Sequence, residues 1–112
     1  MRRPREYLGQ LELMVLLAVV RPRGEPYGVQ ISKYLAETTG RDVSLASVYA
    51  ALERLERKGL VKSTLGEASP ERGGRARTYF RPTRSGLEEA RQAFGTLNRL
   101  ASGSAAWEGT FA

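Results

Sequence analysis

The apolar residues of the chain fall into patterns that predict three helices in its first half. Residues 8–20 are apolar nearly all round, which favours a first helix that must be covered on more than one side. One small domain rarely covers both sides of a peripheral helix, so this pattern also indicates a second subunit. Residues 27–38 repeat apolar positions at helical spacing and predict a second helix, closed by Gly40.

The third predicted helix has recognisable signals at both ends. Ser44 is a good N-cap residue, and Gly59 follows Lys58 as a C-terminal glycine. One apolar stripe of this helix consists of Val48, Ala51, Leu52 and Leu55. The opposite face consists of Ala46, Ala50, Glu53 and Arg57, with Ser47, Tyr49 and Arg54 on its flanks.

A hairpin and a fourth helix are predicted in the second half. Residues 60–65 and 77–81 favour strands, and the turn-rich residues 66–74 predict a long basic tip between them. Thr83 is placed to cap a helix that reaches about Ala101. The apolar positions of this helix are spaced by 3, 4, 3 and 4 residues, which is the seam of a coiled coil.

The composition excludes most enzyme chemistry. The 112 residues contain no Cys and no His, so thiol nucleophiles and disulfides are absent, as are the commonest general base and metal ligand. We therefore expect no enzyme, no metal site and no cofactor. The longest apolar run, residues 13–20, is too short to span a bilayer. These observations favour a cytoplasmic protein without a membrane partner.

Positive charge is concentrated on the predicted hairpin. The net charge is +6, and 15 of the 18 basic residues are Arg, which binds phosphate with two hydrogen bonds. Residues 60–82 have five basic and two acidic groups, a net +3, whereas residues 83–112 have three of each. This distribution favours a polyanionic partner. The alternative is an Arg-rich surface that only keeps the protein soluble.

Three helices followed by a basic hairpin is the element order of a winged helix-turn-helix. Residues 39–43 have the length that its turn needs. The third helix would enter the major groove, and the hairpin, or wing, would contact phosphates or the minor groove. The predicted fold is mainly α with a small β-hairpin. It divides into a winged helix-turn-helix at residues 1–82, a C-terminal dimerisation helix at 83–101 and a flexible tail at 102–112.

Over residues 8–100 the chain resembles the PadR-like winged-helix transcriptional regulators. The segments that carry the resemblance are Leu8-Gly-Gln-Leu-Glu, Tyr27-Gly28, the run from Ser47 to Val61 and the run from Gly73 to Gly86. The resemblance implies a homodimeric repressor or, less often, another regulator of nearby genes, whose C-terminal helix packs against the partner. The chain departs from the family at Ala46 and Ala50, where Gly and Pro are common. The operator sequence therefore cannot be transferred from relatives.

The candidate DNA contacts lie on the third helix and on the hairpin tip. They are Ser44, Ala46, Ser47, Tyr49, Ala50, Arg54, Arg72, Gly73, Gly74, Arg75 and Arg77. Other interpretations remain for several of them. Ala46 and Ala50 could serve helix propensity alone, and Gly73-Gly74 could serve only the turn at the wing tip. Ser47 could solvate the first turn of its helix, and Tyr49 could pack on the flank of the core. Arg54 could form an ion pair with Glu53 or Glu56 of the same helix.

The predicted dimer interface combines the first and fourth helices. It consists of Leu11, Val15, Leu87, Ala90, Phe94, Leu97 and Ala101. Trp107 could fold back to an effector pocket between subunits, or the tail could contribute nothing, so no effector is predicted. The predicted function is sequence-specific binding of a double-stranded DNA operator by a homodimeric repressor. The alternative is a winged-helix protein-interaction module, which would need no basic wing.

Overall fold

In the part of the chain that the structure describes, the protein folds as four helices and a two-stranded hairpin, in the order predicted from the sequence. The computed structural model describes residues 8–21, 26–68 and 76–102. The elements are α1 (Gln10–Val20), α2 (Gly28–Thr39), α3 (Leu45–Arg57), β1 (Val61–Ala68), β2 (Ala76–Pro82) and α4 (Arg84–Ser102). The predicted fold class, mainly α with a small β-hairpin, is confirmed. No helix in these three ranges is long and apolar enough to cross a membrane.

Helix α1 runs through the hydrophobic core, which explains why it is apolar nearly all round. Val15 and Leu16 are completely buried, and α1 contacts α2, α3, α4 and β2 of its own chain. The pattern of α1 is therefore satisfied largely within one chain, and by itself it does not require a second subunit. Leu17 is the main apolar side chain of α1 that stays exposed.

Helices α2 and α3 form the helix-turn-helix pair. The connecting turn begins at Gly40, which has a φ of 72° in the left-handed region. Ser32 of α2 donates a hydrogen bond to the carbonyl of Val43 at 2.9 Å, which holds the turn against α2. Ser44 caps α3 by accepting the backbone N–H of Ser47 at 3.1 Å. The N-cap predicted from the sequence is therefore confirmed.

Strands β1 and β2 pair antiparallel as the predicted wing. The register runs from Val61 opposite Pro82 to Leu65 opposite Thr78, and it shifts before the next pair. The strands are longer than the predicted 60–65 and 77–81, because the pairing continues into the turn-rich segment. Four proposed DNA contacts at the tip lie outside the described residues: Arg72, Gly73, Gly74 and Arg75.

The residues just before α2 attach the wing to the helices. Tyr27 forms an isolated antiparallel bridge with Tyr79, and the backbone N–H of Phe80 donates to the carbonyl of Pro26 at 2.9 Å. The rings of Tyr27 and Tyr79 meet edge to face, with centroids 5.9 Å apart. The middle of β2 is thus fixed to the N-terminus of α2.

Helix α4 begins against the end of α3 and then extends away from the core. Thr83 caps α4 by accepting the backbone N–H of Gly86 at 3.0 Å, and it donates to the carbonyl of Gly59 at 2.6 Å. Ala90 is buried in the core, whereas the apolar residues after it are largely exposed. Trp107 and the rest of the predicted tail from residue 103 lie outside the described residues.

Candidate nucleic-acid interface

Helix α3 is divided into a buried stripe and an exposed face, as the sequence predicted. The buried stripe consists of Val48, Ala51, Leu52 and Leu55. On the exposed side, Leu45 and Tyr49 are 40% and 42% exposed. Ala46 is exposed and Ala50 is half-buried. The first two turns of α3 therefore present small and apolar side chains to the outside.

The two serines at the start of α3, Ser44 and Ser47, have different hydrogen-bonding roles. The hydroxyl of Ser44 accepts from the backbone of Ser47 at 3.1 Å and donates to its hydroxyl at 2.8 Å. Because a hydroxyl has one hydrogen to donate, Ser44 has none left for an external acceptor, but one lone pair of its oxygen can still accept a hydrogen bond. The hydroxyl of Ser47 only accepts in this pair, so its own hydrogen remains available to an external acceptor.

Tyr49 packs on neighbouring elements as well as facing outward. Its ring lies 6.5 Å from the ring of Phe80, centroid to centroid. A methyl group on Gly28 would overlap the Tyr49 ring, so the glycine makes room for it at the first turn of α2. The packing role considered for Tyr49 is therefore present in the structure, while part of its ring stays accessible.

Arg54 forms an ion pair with α1 and not within its own helix. Its Nε lies 3.7 Å from Oε1 of Glu12, and Nζ of Lys58 lies 2.7 Å from Oε2 of the same carboxylate. As an alternative to a DNA contact, the sequence left open an ion pair of Arg54 with Glu53 or Glu56, and Glu56 instead accepts two hydrogen bonds from Ser63. That alternative had the wrong partner, because the buried carboxylate of α1 comes near Arg54 only in the folded chain.

The carboxylate of Glu12 is stabilised in its charged form. Burial acts to raise its pKa, but the hydrogen bond from Lys58 and the positive charges of Lys58 and Arg54 outweigh that effect. The pKa of Glu12 is consequently lowered from its ordinary value. Sequence reasoning missed this residue, since a lone Glu in an apolar run does not reveal its partners.

Arg77, at the end of β2 nearest the wing tip, is held by an aromatic ring. Its guanidinium carbon lies 4.1 Å from the centroid of Tyr27, the N-cap residue of α2. A guanidinium that stacks through its face keeps its N–H edge free to bind phosphate. This contact therefore places the Arg77 guanidinium beside the N-terminus of α2.

Two further cations face each other across the hairpin. Lys62 and Arg81 are direct partners in the register, and both are exposed. Side chains alternate along a strand, so Arg77 and Arg81 share one face of β2. Like charges directly opposite each other across two strands repel and destabilise the pairing. An anion bound between the two cations would offset this repulsion, so the surface is suited to an anion. Lys62 was missed from the sequence because only the register reveals its partner.

The predicted dimer residues are divided between the core and the surface. Phe94 and Leu97 of α4 are 63% and 53% exposed, and Leu87 is also exposed. Leu11 and Ala101 are half-buried. Val15 and Ala90 are buried within the single chain, so they offer no surface to a partner. Leu100, which the sequence analysis did not include, is exposed on the same helix.

Comparison with known proteins gives a family match and similar solved structures. The chain matches the transcriptional regulator PadR-like family over residues 16–92. No curated protein matches it. A PadR-like transcriptional regulator from Bacillus cereus is 29% identical, with 83% of this chain and 88% of that chain covered and a TM-score of 0.63. A PadR family regulator from Eggerthella lenta is 28% identical, with 84% and 80% covered and a TM-score of 0.69.

A further similar structure is that of Bacillus subtilis PadR in complex with operator DNA. It is 20% identical, covers 75% of this chain and 47% of that chain, and has a TM-score of 0.64. This similarity shows a shared fold. The family match covers more than half of the sequence and bears out the prediction of a regulator rather than an enzyme. The chain therefore belongs to the PadR-like family of transcriptional regulators.

Proposed function

We propose that the protein binds a double-stranded DNA operator as a homodimer and represses nearby genes. The observation that carries this proposal is the combination of an exposed, unhindered face on α3 with a basic wing fixed to the same domain. Bacillus subtilis PadR, which has this fold, is seen in complex with operator DNA. An α-helix fits the major groove, and a basic hairpin suits the adjacent backbone.

Helix α3 would enter the major groove with its N-terminal turns nearest the bases. The residues assigned to this contact are Ser44, Ala46, Ser47, Tyr49 and Ala50. The small side chains of Ala46 and Ala50 permit close approach to the base edges. Arg54 would bind a phosphate at the edge of the groove, because its pairing with Glu12 engages only one side of the guanidinium.

The wing would supply contacts to phosphates. Arg77 has the geometry for this role, and we assign the same role to the tip residues Arg72, Gly73, Gly74 and Arg75. A phosphate near Lys62 and Arg81 would also relieve the repulsion between two cations that the register places opposite each other. These contacts fix the protein on the duplex without identifying bases.

The proposed dimer uses the part of α4 that extends beyond the core. Leu87, Phe94 and Leu97 form its exposed seam, and Leu100 adds to the apolar surface. Between α1 and α4 lies a groove of about 820 Å³ with Leu13 and Leu100 among its lining residues. We assign residues 1–82 to DNA binding, residues 83–101 to dimerisation and residues 102–112 to a tail.

Binding measurements on two variants test this assignment. The full chain is titrated with a duplex selected from a randomised library and with a scrambled duplex of the same length, over a series of salt concentrations. Arg77→Ala should weaken both complexes alike and reduce the log–log salt slope by about 0.9. Ala50→Leu should weaken the selected complex far more than the scrambled one, because the larger side chain blocks approach to the bases.

Arg99→Ala is the matched control for the lost charge. Arg99 lies near the far end of α4, so its removal should leave the salt slope of the parent protein unchanged. An unchanged slope in Arg77→Ala, or a selected complex as tight in Ala50→Leu as in the parent, would contradict the assigned roles of wing and helix.

A further inference from the structure

The start of α3 combines exposure with a shortage of side chains that could read bases by hydrogen bonding. Residues 45–52 contain no Asn, Gln, Arg or Lys, and Asn, Gln, Arg and Lys make the usual contacts with adenine or guanine. Leu45 is exposed at the first helical position and takes no part in the hydrophobic core. In the proposed complex this leucine would lie at the end of α3 nearest the bases, where it would supply an apolar contact.

The polar groups in this region leave little for direct base recognition. The Ser44 hydroxyl is used by the cap, and the Tyr49 ring lies against Gly28. One hydroxyl hydrogen, that of Ser47, remains among the serines, and a single donor cannot distinguish four base pairs. Over the first two turns of this face, residues 45–52, the chemistry that remains is mainly apolar contact.

We infer that Leu45, Ala46 and Ala50 form a methyl-reading patch that recognises the C5-methyl groups of thymines, with Leu45 as its largest contact. The inference rests on the proposed function and adds the base that the helix recognises. The thymine methyl is an apolar group exposed in the major groove, and side chains such as Ala contact it there. The operator half-sites should therefore carry thymines where the first turn of α3 meets the groove.

Replacing thymine with deoxyuridine tests the patch from the DNA side. The substitution removes the C5-methyl group and leaves the hydrogen bonds and charge of the duplex intact. The probe is a duplex selected from a randomised library, with its thymines replaced one at a time. Each contacted methyl should contribute about fourfold to affinity, from the burial of one carbon. The salt slope should not change, because no phosphate contact is lost.

A double-mutant cycle tests Leu45 from the protein side. In Leu45→Ala, the thymine that Leu45 contacts should lose most of its sensitivity to deoxyuridine, since one interaction cannot be removed twice. Ala is a better helix former than Leu, so this variant should keep its fold, as a thermal melt would verify. Leu65→Ala is the control, because Leu65 is 70% exposed on β1 and lies outside the patch. That variant should keep the full sensitivity.

The possible results separate this inference from the proposed function. Failure to select any duplex would overturn DNA recognition itself. A selected duplex that binds equally well with deoxyuridine at every position would overturn the methyl-reading patch and leave DNA binding intact. Undiminished sensitivity in Leu45→Ala would overturn the assignment of Leu45.

Discussion

At the residue scale, three glycines among the described residues stand where a side chain would collide with a neighbouring group. Gly28 lies under the ring of Tyr49, Gly66 lies beside the ring of Tyr79, and Gly86 lies against the backbone carbonyl of Leu60. The contact at Gly86 is the tightest constraint, because a carbonyl in the connection between α3 and β1 cannot rotate away as a side chain can. Gly86 therefore allows α4 to approach this connection closely.

Gly86→Ala should lower the free energy of unfolding by about 1–3 kcal/mol, the usual cost of overpacking. Gly95→Ala in the same helix is the control, since its new methyl group would meet only the flexible Nη1 of Arg99, at 3.4 Å. That change should raise the free energy of unfolding by about 1 kcal/mol. Urea denaturation of both variants measures the difference. Equal stabilities would contradict the close packing at Gly86.

Residue roles could be predicted from the sequence where the chemistry is local. Ser44 as a cap follows from its own hydroxyl and the backbone of the next turn, and the structure has that hydrogen bond. The partner of Arg54 could not be predicted, because Glu12 is 42 positions away along the chain. For the same reason the sequence did not predict a role for Lys62, because only the strand register places it opposite Arg81.

At the scale of elements, Glu12 links the core helix α1 to helix α3. The residue is 9% exposed, and its carboxylate receives Nζ of Lys58 at 2.7 Å. A buried charge without partners would be costly, so the pair fixes the end of α3 at one place on α1. The sequence predicted both helices correctly, but an apolar pattern does not say which neighbour covers it. The α1 pattern consequently suggested a second subunit where α2, α3, α4 and β2 suffice.

Glu12→Gln should lower the free energy of unfolding at neutral pH by about 1–3 kcal/mol, since it removes the charge that Lys58 and Arg54 face. Glu88→Gln is the control, because Glu88 pairs with Arg84 on an exposed surface at 3.9 Å. Such a surface pair contributes about 0.5 kcal/mol or less. A loss in Glu12→Gln no larger than that of the control would contradict the linking role.

The same carboxylate should make stability depend on pH. The pKa of Glu12 is lowered in the folded chain, so its stabilising effect is present at neutral pH and is lost as the pH falls below 4.5. The difference in unfolding free energy between the parent and Glu12→Gln should therefore shrink between about pH 7 and about pH 3. Urea denaturation at several pH values measures it. A difference that stays constant over this range would exclude Glu12 as the titrating group.

At the scale of the whole molecule, the proposed binding of a symmetric operator requires two copies of the chain, each presenting one α3 helix. The spacing of apolar residues along α4 predicted a seam, and the structure leaves Phe94 and Leu97 of that seam exposed. The sequence could not separate these residues from Ala90, which shares the spacing but is buried by the core of its own chain. Only the angle at which α4 leaves the core distinguishes the two sets.

Phe94→Asp should convert the dimer to monomer at micromolar concentration, because a two-fold interface would bury the new charge twice. We expect the dissociation constant to rise about 100-fold or more. Ser85→Asp adds the same charge at another exposed position of α4, outside the groove between α1 and α4, and should remain dimeric. Sedimentation velocity distinguishes the species. A parent protein that sediments as a monomer at micromolar concentration would refute the dimer.

The most direct test of the central claim is footprinting of the full chain on duplexes selected from a randomised library. A dimer with two-fold symmetry should enrich pseudo-palindromic sites and protect two half-sites, with centres about 10 base pairs or a small multiple of that apart. Enrichment of isolated, asymmetric single sites would contradict the symmetric dimer on DNA. No enrichment above the unselected library would contradict sequence-specific DNA binding by this protein.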